Sequence, residues 1–191
     1  MARCYSAAMG KRQSIRGQVG TRRSLPVRLL LTDERNDARL ERVIARLGKG
    51  DAVVFRHYHL APHARMQRFR QLQRRARARG VGVIAARLDC TERVDGVYGS
   101  AREVAGAPGW KLATAHSLAE IAAAVRAGAD AVLLSPVFPT RSHPGAPVLG
   151  PLRFLLMARR SPLPVIALGG MAARRAARLP VHGWAAIDGL I

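Results

Sequence analysis

Short apolar runs separated by amphipathic segments set the rhythm of this chain. The run over residues 27–32 (V-R-L-L-L-T) stops at Asp33 and predicts a buried strand. Asn36 or Asp37 then stands at a cap position for a helix through Leu47, with Leu40, Val43, Ile44 and Leu47 on one face. Gly48 and Gly50 end it, and residues 51–56 (D-A-V-V-F-R) predict a second strand. Residues 64–79 predict a basic helix whose apolar side carries Met66, Phe69 and Leu72. A third strand is expected over 81–86, then barely one helical turn, then a short fourth strand over 96–98.

The second half repeats the pattern more clearly. A helix around 100–105 leads to a strand over 110–114, and Ser117 caps an amphipathic helix carrying Leu118, Ile121, Ala122 and Val125, closed by Gly128. A strand over 129–135, a helix over 151–160, a strand over 164–168, a helix over 171–179 and a last strand near 184–187 complete it. Strands alternating with helices imply a parallel α/β sheet. Eight such units favour a closed (β/α)₈ TIM-type barrel over an open flavodoxin-like sheet. The fold typically takes about 250 residues, so 191 residues predict a pared-down barrel with a weak third helix and no eighth. The uncovered flank of the eighth strand then invites a partner subunit, that is, a homo-oligomer.

Composition alters this picture little. The net charge of +20 points toward nucleic acid. Only Lys11, Lys49 and Lys111 among the 32 basic residues are lysines, however, and no aromatic stacking pattern accompanies the arginines. The charge is therefore read as an arginine-rich composition rather than a nucleic-acid surface. Seven basic residues fall in the first 31 positions, six of them in an extension over 1–26 that contains no acid and shows no periodicity. That extension reads as disordered chain or as sequence ahead of a later start such as Met9; its composition also resembles an organelle transit peptide. The barrel domain is expected over 27–191. No run approaches the 18 apolar residues of a membrane span. Cys4 and Cys90 are the only cysteines, which fits a reducing, cytoplasmic setting. No CxxC, HExxH or other spaced metal-ligand cluster occurs, so no metal and no cofactor is expected.

In a parallel barrel the reactive groups sit after the C-terminal ends of the strands. Those positions hold Asp33, Arg56-His57-Tyr58, the stretch 85–89, Tyr98, His116, the stretch 140–143, Gly169-Gly170 and Asp188-Gly189. Gly169-Gly170 offers backbone N–H groups at a helix start, which suits a phosphate, although two glycines also suit a tight turn. The loop S-P-V-F-P-T-R-S-H-P-G over 135–145 places Thr140, Arg141, Ser142 and His143 together, donors suited to an anionic ligand. Histidine exchanges protons near neutral pH, which makes His116 a candidate acid/base; a structural role at a strand end is the alternative. Arg56, closing an apolar strand, needs either a ligand anion or an acidic neighbour.

The order and spacing of L-L-L-T-D, H-S-L-A-E-I-A-A-A-V-R-A-G-A-D-A-V, S-P-V-F-P-T and P-V-I-A-L-G-G-M resemble the thiamine phosphate synthase/TenI superfamily of (β/α)₈ barrels, from Val27 to the C-terminus. The resemblance implies a phosphorylated thiazole held by Gly169-Gly170, with the Thr140 loop and the strand-eight loop helping. It also implies a synthase reaction, in which a pyrimidine diphosphate loses pyrophosphate to the thiazole nitrogen with Mg²⁺ on carboxylates. The chain departs from that pattern in strands two to four. Val54 and Tyr58 stand where the family has glutamine and lysine, and Ala85-Ala86-Arg87 replaces N-D-R. Tyr98-Gly-Ser-Ala replaces a histidine-leucine-glycine-glutamine stretch, and His143 falls where a lysine is expected. Asp89 or Glu103 is the remaining source of a displaced carboxylate. The TenI branch isomerises a thiazole carboxylate phosphate without the diphosphate machinery, and there the histidine matching His116 looks like the acid/base. The expectation is thus a TenI-like tautomerase with His116 catalytic and Arg56, Thr140, Ser142, His143, Gly169 and Gly170 holding the ligand. A divergent synthase using Mg²⁺ and a non-catalytic phosphate-binding barrel are the alternatives.

Overall fold

The computed structural model describes residues 24–88, 93–142 and 144–190. Most of the basic extension, together with Cys4, Met9, Asp89, Cys90 and His143, lies outside the described residues. The strands are β1 (Arg28–Leu31), β2 (Asp51–Phe55), β3 (Gly82–Ala85), β4 (Gly96–Gly99), β5 (Trp110–Ala115), β6 (Ala131–Leu134), β7 (Val165–Ala167) and β8 (Gly183–Ala186). All pair in parallel with their sequence neighbours, and β8 pairs with β1 through Arg28↔Trp184, Leu29↔Ala185 and Leu30↔Ala186. The sheet is a closed barrel, as eight βα units implied.

Strand side chains alternate between two environments, the period-two consequence of a pleated backbone. Leu29, Leu31, Ala52, Val54, Ile84, Tyr98, Leu112, Ala131, Leu133, Ile166 and Ala185 fill the interior as one cluster. The intervening residues face outward under the helices. Leu30, Val53, Phe55 and Val83 pack with α1 (Leu40–Ile44) and α2 (Pro62–Ala78). Val132, Leu134, Val165 and Ala167 pack with α4 (Leu118–Arg126) and α5 (Gly150–Ala158). Two four-residue helices, α3 (Ala101–Val104) and α6 (Ala173–Ala176), complete the described helices. None is long and apolar enough to cross a membrane.

Three expectations need correction. The first helix is capped by Asp33, not by Asn36 or Asp37. Asp33 and Asn36 form a capping box that opens a 3-10 segment, Glu34–Arg39. Asn36 is needed elsewhere: its side-chain amide donates to the carbonyls of Leu31 (3.0 Å) and Ile187 (2.9 Å), tying the ends of β1 and β8 together. On α4 the buried residues are Ile121 and Ala124, while Leu118 and Val125 are both 39% exposed. The helix is rich in alanine and apolar on several sides, so packing of its small face against the barrel chose the direction. Gly169-Gly170 does not head a helix directly, because α6 begins only at Ala173. As expected, no helix follows β8 among the described residues; β8 is bonded on both sides, and Leu190 packs against both outer clusters beside it.

Candidate functional site

The inward row of each strand continues past the strand end into a cavity of about 1410 Å³ at the C-terminal mouth. Counting by twos from buried interior residues leads from Val54 to Arg56, from Leu112 to His116 and from Leu133 to Ser135, all of which line it. Thr140, Ser142, Gly169 and Gly170 line it too, so six of the seven expected site residues share one cavity. The seventh, His143, lies outside the described residues.

His116 is held by polar neighbours on three sides. Its backbone N–H donates to Glu120 Oε2 at 2.8 Å, and Ser117 caps α4 directly after it. Its Nδ1 lies 2.8 Å from the Ser135 carbonyl oxygen and 3.3 Å from Ser135 Oγ. A carbonyl only accepts, so Nδ1 carries the hydrogen and the neutral ring keeps its lone pair on Nε2. That is the arrangement a general base requires.

Gly169 and Gly170 adopt φ of +97° and +59°, a region that strains residues with a Cβ. Both are also pressed against the loop after β6. A Cβ on Gly169 would come within 2.6 Å of Pro136 Cα, and one on Gly170 within 2.4 Å of the Pro139 carbonyl oxygen. Val137 and Phe138 N–H groups donate to the carbonyls of Leu168 (2.9 Å) and Gly169 (3.1 Å), which fastens the two loops together. The carbonyls of the turn are thus engaged. Among the described residues no backbone carbonyl accepts from the N–H of Gly169, Gly170 or Met171. An anion at this turn would meet the turn's own N–H groups rather than the end of a helix dipole.

The rest of the mouth is cationic. Arg35 links three loops: its Nε donates to Asp33 (2.8 Å), one terminal nitrogen to Ser142 Oγ (2.8 Å), and the other lies 3.9 Å from Asp188. Arg56 reaches Asp33 at 3.7 Å, the acidic neighbour it required, and still lines the cavity. Arg56, Arg65 and Arg87 surround the Tyr58 ring at 5.7, 5.4 and 5.7 Å from its centre. Arg175 stacks over Phe138 at 4.6 Å and donates to the Gly170 carbonyl. Tyr98, at the inner end of β4, is deeply buried, and burial pushes its hydroxyl up to about 12, so it stays a protonated donor. Arg35, Arg87, Arg175 and Tyr98 were not singled out in the sequence as ligand contacts. The inward parity of Tyr98 was readable there; Arg35 and Arg175 owe their place to loop packing.

The described carboxylates at the mouth are engaged by arginines and backbone N–H groups. Glu103 accepts from the Ser100 backbone N–H and from Arg87 Nε, both at 2.6 Å, and these bonds hold its carboxyl down at about 2. Asp33 is taken by Arg35 and Arg56, and Asp188 faces Arg35. Among the described residues no group of three His, Cys, Asp or Glu side chains could hold a metal ion. Each described acid at the mouth faces an arginine, so among the described residues no free carboxylate pair offers itself to the Mg²⁺ of a diphosphate-using synthase.

Comparison with known proteins agrees with the fold. A family model described as thiamine monophosphate synthase matches residues 29–190. Over 50 residues the chain is 54% identical to the thiamine-phosphate synthase of Myxococcus xanthus, covering 26% of this chain and 23% of that protein. Over 58 residues it is 41% identical to putative thiamine-phosphate synthase 2 of Aquifex aeolicus, covering 30% of this chain and 31% of the other. These matched stretches therefore span less than a third of either relative's length. Among solved structures, a thiamine phosphate pyrophosphorylase from Pyrococcus furiosus superposes with a TM-score of 0.68 at 23% identity, covering 87% of each chain.

Proposed function

Because the chain belongs to the thiamine monophosphate synthase family, we propose that it is an enzyme of thiamine biosynthesis that isomerises a phosphorylated thiazole, with His116 as acid/base. The observation that carries this reading is the Nδ1–H of His116 directed at the Ser135 carbonyl, which leaves Nε2 as the proton acceptor at the cavity. In this reading the phosphate takes the amides of the Gly169-Gly170 turn, with Thr140 and Ser142 of the neighbouring loop as hydroxyl contacts. Arg56 then balances a second negative group such as a ring carboxylate. His116 removes a proton from one position of the bound heterocycle and returns it to another. The ring exchanges a tautomer, His116 ends as it began, and no electron acceptor or metal enters the step. Tyr98 and the arginines stabilise negative charge that develops on the heterocycle between the two transfers.

The test is to incubate the protein with thiazole carboxylate phosphate and follow the ultraviolet spectrum, with His116→Asn beside it. Turnover that survives the substitution removes His116 from the mechanism. Binding without turnover in the unsubstituted protein points instead to a non-catalytic, ligand-binding barrel.

A specific observation favours a second reading, thiamine phosphate synthesis. The cavity of about 1410 Å³ exceeds the roughly 300–1,000 Å³ of ordinary ligand pockets, which leaves room for two substrates. The relatives' names point the same way. Release of pyrophosphate from the pyrimidine diphosphate would establish that reaction and displace the isomerase.

A further inference from the structure

A buried polar chain stands behind the cavity wall, on the outward side of β1 and β2. His57 continues the outward row after Phe55, on whose ring it stacks at 4.9 Å, and its side chain is fully buried. Both ring nitrogens are bonded: Nδ1 to Thr32 Oγ1 and Nε2 to Asp37 Oδ1, each at 2.7 Å. Thr32, also fully buried, accepts from the backbone N–H of Arg56 at 2.9 Å. The Asp37 carboxylate only accepts, so the neutral ring donates from Nε2 to Asp37, and the lone pair left on Nδ1 accepts from the threonine hydroxyl. The chain runs Asp37, His57, Thr32, Arg56, with every proton directed.

The Arg56 peptide is gripped from its other side as well. Arg65 donates to the Arg56 carbonyl at 3.0 Å and to those of Ala86 and Arg87, both at 2.6 Å. His57 itself sits at φ +26°, a costly conformation for a residue with a Cβ, kept where surrounding bonds over-determine it.

We propose that His57 is a positioning residue, which acts through Thr32 to hold the Arg56 backbone so that its guanidinium faces the cavity and receives an anion. The anion part of this proposal rests on the reading of the cavity given above. Thr32 and His57 point outward while Arg56 points inward, so they reach the ligand only through the Arg56 peptide. Burial disfavours the charged ring, against the opposing pull of Asp37, and so favours the neutral donor–acceptor form that the chain requires. The other charged groups facing this chain are Arg68, bonded to Asp37 (Nε, 2.8 Å) and to Glu41 (2.5 Å), together with His59, whose ring lies 5.3 Å from His57, and Arg65, over Phe55. Arg68 competes for Asp37 and further disfavours imidazolium.

Two substitutions at Thr32 separate positioning from packing. Thr32→Ser keeps the hydroxyl; Thr32→Val keeps the shape and loses it. Two readouts serve on the full chain: calorimetric binding of inorganic pyrophosphate without metal, and the ¹⁵N relaxation of the Arg56 Nε–H in ligand-free protein. Thr32→Val and His57→Phe are expected to weaken pyrophosphate about tenfold and to loosen the Arg56 guanidinium, while Thr32→Ser stays near the unsubstituted protein. In an Arg56→Met background, Thr32→Val should change affinity by less than about twofold, the non-additivity of residues acting as one unit. Unchanged guanidinium order in Thr32→Val overturns the proposal, and so does an equal loss in the Arg56→Met background. If the unsubstituted protein does not bind pyrophosphate, the anion reading of the cavity falls. The guanidinium relaxation still decides whether His57 and Thr32 position Arg56.

Discussion

His116 Nδ1 lies 2.8 Å from the carbonyl oxygen of Ser135, a contact that joins the end of β5 to the end of β6. The acceptor is backbone, so a substitution of the serine side chain leaves it in place. The imidazole is therefore oriented by the barrel itself, and its tautomer follows from the pairing of two strands.

Replacing His116 with asparagine removes the proton acceptor and keeps a side-chain amide able to donate toward Ser135. Turnover of thiazole carboxylate phosphate is expected to fall by about 10²–10⁴-fold, the usual contribution of a general acid/base. KM should move far less. Steady-state kinetics check the split, with a melting curve to show the fold intact.

Gly170→Ala tests the turn. The new Cβ would press on the Pro139 carbonyl at 2.4 Å with the backbone at φ +59°. The substitution should cost about 1–3 kcal/mol of stability through strain. It should also weaken phosphate-bearing ligands more than it weakens folding, because the turn's amides move with the loop. Denaturant unfolding and ligand calorimetry on the same variant separate the two effects.

Metal dependence distinguishes the two enzymatic readings. Since each described carboxylate at the mouth is paired with an arginine, chelation with EDTA is expected to leave isomerisation unchanged. Pyrophosphate release from the pyrimidine diphosphate is expected to be absent with or without Mg²⁺. A Mg²⁺-dependent burst of pyrophosphate reverses this reading.

Acid should destabilise the protein in two steps. Burial holds His57 below the ordinary imidazole value of 6.5, so the unfolded chain takes up this proton first. That contribution is intact above 6.5 and lost as pH falls through the folded value. Glu103, held at about 2 by the Ser100 amide and Arg87, contributes above the ordinary glutamate range and loses this as pH falls toward 2. Unfolding followed by denaturant at successive pH values should show both slopes. Thr32→Val should alter the upper one, and Glu103→Gln should lessen the lower, to which Asp33, Asp37 and Glu41, also held low, contribute as well.

Much of this arrangement was legible in the chain. Apolar runs such as 131–134, buried on both sides, suit parallel strands, and eight of them separated by helical segments favoured closure over an open sheet. His116, Arg56 and Gly169-Gly170 were legible because each directly follows such a run. The direction of α4 was not, since an alanine-rich helix carries too weak a stripe to choose a face. The cap at Asp33 was missed because Asn36 and Asp37 are equally good capping residues, and only the ends of β1 and β8 and the buried His57 show that both are used elsewhere.

Sequence by itself determined the order of elements, the inward and outward rows, and which residues close each strand at the mouth. Those follow from local periodicity, which backbone geometry imposes strand by strand. Tertiary structure alone decided which of these residues act together. The Ser135 carbonyl that orients His116, the Arg87 guanidinium that meets Glu103, and the chain from Asp37 through His57 and Thr32 to Arg56 all join residues that only the packed barrel brings within hydrogen-bond reach.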